Sequence, residues 1–278
     1  MSFYDPGKLG NKLNDLNASY IFASPYPHIV IDNFLIDNHL KALVQEMQTF
    51  NSDEWINYVH INEKKRGFNK YDQLPPRLKL LIDELNAESF LKVVEKITGI
   101  NDLRADFSLE GGGLHESRQG GFLNVHADYI SHPHKPTWRR RVNIIIYLNE
   151  GWQDEWGGHL ELWDKDMKNP EQKITPVFNR CVIFNTDATS YHGHPEPMTC
   201  PPETTRRSVA LYYFTEENAP VKLRSTTYQP RPQDKSNKRW LMAIDNMLIN
   251  IYTKLKRKNG MNDKLVSRIL KIISKNKK

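Results

Sequence analysis

The chain has 278 residues, 38% of them hydrophobic and 26% charged, with a formal net charge of +6. That length can bury a substantial core, and the lack of any apolar run of about 18 residues excludes a membrane-spanning helix. Two cysteines, Cys181 and Cys200, give no disulfide framework and fit a reducing compartment.

The charge is unevenly spread. Residues 231–278 carry 14 Lys and Arg against 3 Asp, whereas the first 230 residues hold 25 basic against 30 acidic, so the basic character belongs to the tail. The start, MSFYDPGKLGNKLNDL, lacks the basic opening and apolar stretch of a secretory signal. The expectation is a cytoplasmic protein.

In chain order, residues 1–25 read as an irregular lead-in. PYPHIVIDNFL predicts a strand at His28 to Ile31, turning at Asp32-Asn33. Leu40, Leu43, Val44 and Met47 recur at helical spacing within 37–50, with Asp37 or Asn38 as N-cap. Residues 51–74 read as loop. Helical patterning returns at 76–86, with Pro76 in its first turn, and at 88–98, stopped by Gly99. From Leu103 the pattern changes to short β-rich runs: ADFSLE, LHES, GFLNVHA, RVNIIIYLN, HLELWD, CVIFNT and SVALYYFT. So many strands without intervening helices predict a sandwich or barrel over about 103–215. QPRPQDKSNKR then reads as a linker. Leu241, Ile244, Met247, Leu248, Ile251 and Leu255 share one helical face, and a second short amphipathic helix is expected at about 263–274.

The chemistry concentrates in GFLNVHADY, where His126 and Asp128 stand two residues apart. In an extended run these side chains point to the same side. His192 in SYHGHPEP follows the strand CVIFNT and can be folded alongside them. Two imidazoles and one carboxylate suit a non-haem ferrous iron with open positions. Arg206, opening RRSVALYYF, can fork onto a carboxylate with two hydrogen bonds. A His-x-Asp pair also occurs by chance, so the ordered set of four carries the reading.

Across about Pro25 to Phe214 the chain resembles the Fe(II)- and 2-oxoglutarate-dependent dioxygenases, in their prolyl-hydroxylase-like branch. The resemblance runs through PHIVIDNFL, the HxD at His126 and Asp128, IIIYLNEGW, GGHLELWD, His192 and RRSVALYYF. It implies an α+β fold: a double-stranded β-helix (jelly roll) core, buttressed by N-terminal helices and followed by a C-terminal helical extension. The expected division is 1–230 as the dioxygenase domain and 231–278 as the basic extension. The resemblance implies His126, Asp128 and His192 as iron ligands and catalytic centre, with Arg206 and Tyr147 on the 5-carboxylate of 2-oxoglutarate. It further implies Fe(II), 2-oxoglutarate and O2 as cofactor and cosubstrates, with ascorbate as a stimulant. The implied reaction hydroxylates an unactivated C–H bond with succinate and CO2 as coproducts. A prolyl residue of a peptide or protein comes first as substrate, then a small metabolite, amino acid or saccharide. A non-catalytic metal-binding jelly roll is the reading from another class.

The segment from His192 to Arg206 is longer than in the animal oxygen-sensing hydroxylases, which leaves Arg207 as an alternative anchor. Strand alternation favours Arg206, on one face with Ser208, Ala210 and Tyr212. His194 is the alternative to His192. His115 or Arg118 is expected to line the cofactor pocket in place of a tyrosine of some relatives. His132 and His134 are expected on a loop near the mouth and His159 in a core strand, with Trp152, Trp156 and Trp163 mostly core. Arg139, Arg140 and Arg141 read as a solvated strand entrance, and Asn124 and Asn143 as satisfied polar groups. The C-terminal helices are expected to pack on the core or on a second copy in a homodimer. Contact with nucleic acid or a membrane surface is not expected.

Overall fold

The computed structural model describes residues 2–10 and 12–259, with side chains as far as Lys254. The elements in order are α1 (Pro6–Gly10), α2 (Leu13–Ile21), β1 (His28–Ile31), α3 (Asp37–Gln48), β2 (Ile56–His60), β3 (Glu63–Phe68), α4 (Pro76–Asn86) and α5 (Glu88–Thr98). They continue with β4 (Arg104–Ala105), β5 (Gly113–Ser117), β6 (Phe122–Ala127), β7 (Trp138–Tyr147), β8 (Leu160–Trp163), β9 (Pro170–Ile174) and β10 (Cys181–Asn185). Last come β11 (His192–His194), β12 (Arg206–Glu216), β13 (Thr227–Tyr228) and α6 (Ser236–Asn259).

The N-terminal helices bury the residues their spacing nominates. Leu40, Leu43, Val44 and Met47 of α3 face inward, as do Leu78, Leu81, Ile82 and Leu85 of α4 and Phe90, Leu91, Val94 and Ile97 of α5. Each fully buried Leu or Phe contributes about 1.5–3 kcal/mol. Gly99, in left-handed conformation, closes α5 by donating its N–H to Glu95 O. Neither Asp37 nor Asn38 caps α3. Ile36 holds the cap position, and Asp37 sits in the first turn, where its charge suits the helix dipole.

Two stretches differ from expectation. The lead-in is ordered and includes α2, because Phe3, Leu9 and Tyr20 are buried and Glu84 accepts the main-chain N–H groups of Phe3 and Tyr4. Residues 51–74 contain the β2–β3 hairpin rather than a loop. ADFSLE is strand only at Ala105, since the Asp106 carboxylate accepts the N–H of Ser108 and of Glu110 and turns the chain.

The strands form one curled antiparallel sheet in the order β1-β10-β7-β12-β5-β3-β6-β11-β8-β9, with β13 on β6, β2 on β3 and β4 on β12. This is the expected jelly roll, enlarged by β1, β2, β3 and β13 from outside 103–215. The sheet face turned away from the cavity packs on the helices, sharing a core of Val142, Ile144, Ile146, Val209 and Leu211 with Leu81, Leu85 and Val94.

The tail is continuous with this body. α6 buries Met242 and Asp245, while Trp240, Met247, Leu248 and Ile251 are exposed. The apolar stripe read from the sequence therefore faces largely outward. The side chain of Leu255 and the helix expected at 263–274 lie outside the described residues.

Candidate active site

His126 lies near the end of β6 and Asp128 just beyond it, while β11 places His192 directly opposite His126 in the antiparallel register. The Nδ1 of His126 lies 2.9 Å from Asn124 O, and the Nδ1 of His192 lies 2.9 Å from Ser190 O. A carbonyl only accepts, so each Nδ1 carries the proton and each Nε2 is left as a lone-pair donor. Those Nε2 atoms stand 3.5 and 3.4 Å from the Asp128 carboxylate oxygens. The three donor atoms lie within 4.8 Å of one another. Donor types, tautomers and separations all fit one cation on a facial set. Gly193, between His192 and His194, allows β11 to approach β6: a Cβ there would sit 2.7 Å from Leu123 O.

The carboxylate is held from behind. Arg140, only 1% exposed, donates from Nη2 to Asp128 Oδ2 at 2.9 Å, and Asn143 Nδ2 donates to the same oxygen at 2.7 Å. Arg140 also donates from Nε to Asn143 Oδ1 and stacks 3.3 Å from the Tyr212 ring centre. Burial alone would raise the Asp128 pKa. The Arg140 charge outweighs it and, with His192, holds Asp128 well below the carboxylate range. Burial, and then the neighbouring His192, push His126 down, so its imidazole is neutral and free to ligate. Arg140 is therefore not part of a solvated strand entrance. Asn143 is satisfied, as expected, and its partner is the candidate ligand itself.

Arg206 and Arg207 separate as alternation requires. Arg206 lines the cavity, donating from Nε to Gly158 O at 2.8 Å and from Nη2 to the Tyr147 hydroxyl at 3.4 Å. Arg207 turns to the other face and pairs with Glu116, which Arg66 also binds. Tyr147 is fully buried behind Arg206. Gly158, with φ +71°, gives Arg206 room, because a Cβ would meet Met198 Sδ at 2.7 Å and Arg206 Cδ at 3.0 Å. His115 lines this cavity as well, whereas Arg118 is exposed in the turn after β5.

The opposite side of the cavity is closed by the β2–β3 hairpin and α6. The β2–β3 hairpin contributes Tyr58, His60 and Lys65, and α6 contributes Leu248, Ile249 and Tyr252. A buried polar lock joins them. Asp245 Oδ2 lies 3.1 Å from His60 Nδ1 and accepts from Asn62 Nδ2 at 2.6 Å, and His60 Nε2 stands 2.8 Å from Glu63 Oε1. Burial opposes the charge on His60, but the Asp245 and Glu63 carboxylates outweigh it and raise its pKa to about 9. Asn246 exchanges two hydrogen bonds with the main chain of Tyr228, whose ring lies 5.4 Å from that of His126. Asn124 donates to Asn62 Oδ1, so the lock reaches the strand that carries His126.

Three neighbouring histidines are elsewhere. His132 is buried against Phe214 and Asp106 rather than at the mouth, and His134 is exposed. His159 precedes β8, half-buried, with Nε2 2.8 Å from Asp154 Oδ1. Trp152 and Trp163 are buried as expected, and Trp156 is half-buried.

The sequence profile of the 2OG-Fe(II) oxygenase superfamily matches residues 112–214, the stretch from β5 to β12 that contains His126, Asp128, His192 and Arg206. That stretch of the chain is similar to the superfamily. Prolyl hydroxylases are among the proteins the chain is similar to. The mouse (Mus musculus) prolyl 3-hydroxylase OGFOD1 is 26% identical over 216 residues, which cover 75% of this chain and 35% of that protein. The chain thus spans about a third of the length of this curated relative. A prolyl hydroxylase of Trichoplax adhaerens, solved with a hypoxia-inducible-factor oxygen-degradation-domain peptide fragment, superposes with a TM-score of 0.54 at 18% identity. It covers 76% of this chain and 93% of its own. A Pseudomonas putida prolyl-4-hydroxylase gives 0.51 at 17% identity, covering 74% and 100%. These two likenesses bear on the fold. Among the described residues no helix is long and apolar enough to cross a membrane.

Proposed function

We propose that the chain is an Fe(II)- and 2-oxoglutarate-dependent dioxygenase that hydroxylates an unactivated C–H bond, with a prolyl residue of a peptide or protein as the first substrate class. The observation that carries the reading is the meeting of His126, Asp128 and His192 in one cavity with the inward-facing Arg206. The prolyl hydroxylases among the similar proteins support the substrate class.

In this reading His126, Asp128 and His192 hold Fe(II), and Arg206 receives the far carboxylate of 2-oxoglutarate, positioned by Tyr147 and Gly158 O. Bound iron with 2-oxoglutarate and O2 supplies oxidative decarboxylation to succinate and CO2, with the second oxygen atom entering the substrate C–H bond. The protein's own part is orientation and enclosure. Main-chain carbonyls fix both imidazole tautomers, Arg140 and Asn143 fix the carboxylate, and the outer wall of the β2–β3 hairpin and α6 excludes water. The division into an oxygenase domain at 1–230 and a basic extension at 231–278 is retained as a functional one, with the extension supplying part of that wall.

A small-molecule substrate is the second reading, favoured by the way α6 walls a cavity of about 350 Å³. The test is incubation of the Fe(II)-loaded protein with 2-oxoglutarate, O2, ascorbate and cell lysate, followed by mass spectrometry. Succinate formation with a one-oxygen mass gain on prolyl peptides supports the proposal. A gain confined to small molecules selects the second reading, and no 2-oxoglutarate consumption under any condition contradicts both.

A further inference from the structure

The far end of the cavity contains more polar groups than Arg206. Of the buried side-chain atoms that have no hydrogen-bond partner among the described residues, His194 Nδ1 and His115 Nε2 belong to residues lining it. The two rings come from strands on either side of the site. Ser208, two residues beyond Arg206 on β12, pairs with His115 on β5, while His194 on β11 lies opposite Leu123 on β6. His194 is 95% buried, with a relative exposure of 5%. A buried polar atom without a partner is costly, and it persists where a ligand completes it.

Donor accounting shows what is incomplete. The Arg206 guanidinium has five N–H groups, of which Nε–H is spent on Gly158 O and one Nη2–H faces the Tyr147 hydroxyl. The fork is thus offered end-on, with about three N–H groups left for a carboxylate that presents about four acceptor sites. In a pocket this dry, the remaining lone pairs need a further donor. A neutral imidazole can supply one by carrying its proton on the nitrogen that has no other partner. Burial pushes the His115 imidazole down to about 3, so that ring adds no second cation.

We propose that His194 is a second anchor of 2-oxoglutarate, donating from Nδ1 to the far carboxylate beside Arg206, with His115 closing the same end of the subsite. This rests on the 2-oxoglutarate reading above. It also gives His194 a role separate from His192: His192 faces the metal position and His194 the organic cosubstrate.

The test is calorimetric titration of 2-oxoglutarate into the Mn(II)-loaded full chain, wild type against His194→Phe, His194→Gln and His115→Phe. Pyruvate, a 2-oxo acid without the far carboxylate, serves as the second probe. His194→Phe is expected to weaken 2-oxoglutarate about tenfold or more, the loss of one hydrogen bond to a charged acceptor. Its pyruvate and Mn(II) affinities should match wild type, and His194→Gln, which keeps an N–H, should recover part of the loss. Unchanged 2-oxoglutarate affinity in a folded, metal-loaded His194→Phe overturns the proposal. So does an equal loss for Mn(II), pyruvate and 2-oxoglutarate, which would mark a support for β11. Loss in His115→Phe alone moves the anchor to that ring and overturns the His194 assignment. If His194→Phe does not fold, the Gln variant decides, with a fall in 2-oxoglutarate affinity supporting the assignment and wild-type affinity overturning it. Wild-type protein that takes Mn(II) but no 2-oxoglutarate fails the dioxygenase reading itself.

Discussion

The inner and outer halves of the cavity are built by different means. The inner half, around Arg206, comes from strands of the jelly roll, where register and alternation set each side chain: β12 pairs with β5 and β7 along its length. The outer half is made by the β2–β3 hairpin and α6, two segments far apart in sequence, joined through Asp245, His60, Glu63 and Asn62. A hydrogen-bonded sheet positions the inner residues, and a buried charge cluster holds α6 against the hairpin in the outer wall. β3 also pairs with β5 and β6 in the sheet, so the part of the second arrangement that titrates is the docking of α6 onto the hairpin.

Four substitutions or conditions test this contrast, in descending order of expected effect. Arg140→Met removes the charge behind Asp128 while keeping the apolar stem against Tyr212. Metal affinity measured by calorimetry should fall about 10–100-fold, the usual consequence of losing a group that orients a ligand. Equal affinity would show that Asn143 alone suffices. Asp245→Ala acts on the other half, leaving His60 Nδ1 and Asn62 Nδ2 without this acceptor at a cost of about 1–3 kcal/mol in chemical denaturation. Amide exchange should rise in α6 and in the β2–β3 hairpin while metal affinity stays at the wild-type level. A parallel fall in metal affinity would mean that the two halves are one unit.

Raising the pH should weaken the same wall. His60 has its pKa raised from 6.5 to about 9 in the folded state, so its contribution is fully present below about 6.5 and is lost as the pH rises through about 9. Exchange in α6 should therefore increase between pH 7 and 10, and the increase should vanish in Asp245→Ala. A pH-independent α6 would remove His60 from the lock. The smallest effect belongs to Trp240→Ala on the outward face, expected to change stability by no more than about 0.5 kcal/mol. A larger loss would reveal a contact of that face in solution.

The same contrast explains what the sequence revealed. The grouping of His126, Asp128 and Arg206 was legible in strand period and order, the preference for His192 over His194 came from the family resemblance, and that for Arg206 over Arg207 came from alternation. Arg140 was not legible. Counting back along β7 from Tyr147, Ile145 and Asn143 turns Arg141 inward, but the register shifts opposite Tyr213 and Phe214 and presents Arg140 instead. A bulge of that kind leaves no mark in a run of three arginines.

The β2–β3 hairpin was hidden because Lys64, Lys65 and Arg66 show no apolar alternation. One face looks into the cavity and the other pairs with Glu116. In α6 the hydrophobic stripe pointed the wrong way, since its docking face relies on Asp245 and Asn246 hydrogen bonds rather than on apolar burial. Periodicity reports apolar burial, so a helix docked by polar groups misleads it. The lead-in was missed for a simpler reason: Phe3, Leu9 and Tyr20 are too few and too widely spaced to show a period.

The most direct measurement is the anaerobic visible spectrum of the full chain on adding Fe(II) and 2-oxoglutarate together, wild type against Asp128→Ala. The wild type should develop a weak charge-transfer absorption that needs both additions and that Asp128→Ala lacks, and on admitting O2 it should convert 2-oxoglutarate to succinate. A folded wild-type protein that gives neither the absorption nor any succinate would contradict the assignment of His126, Asp128, His192 and Arg206 as a dioxygenase site.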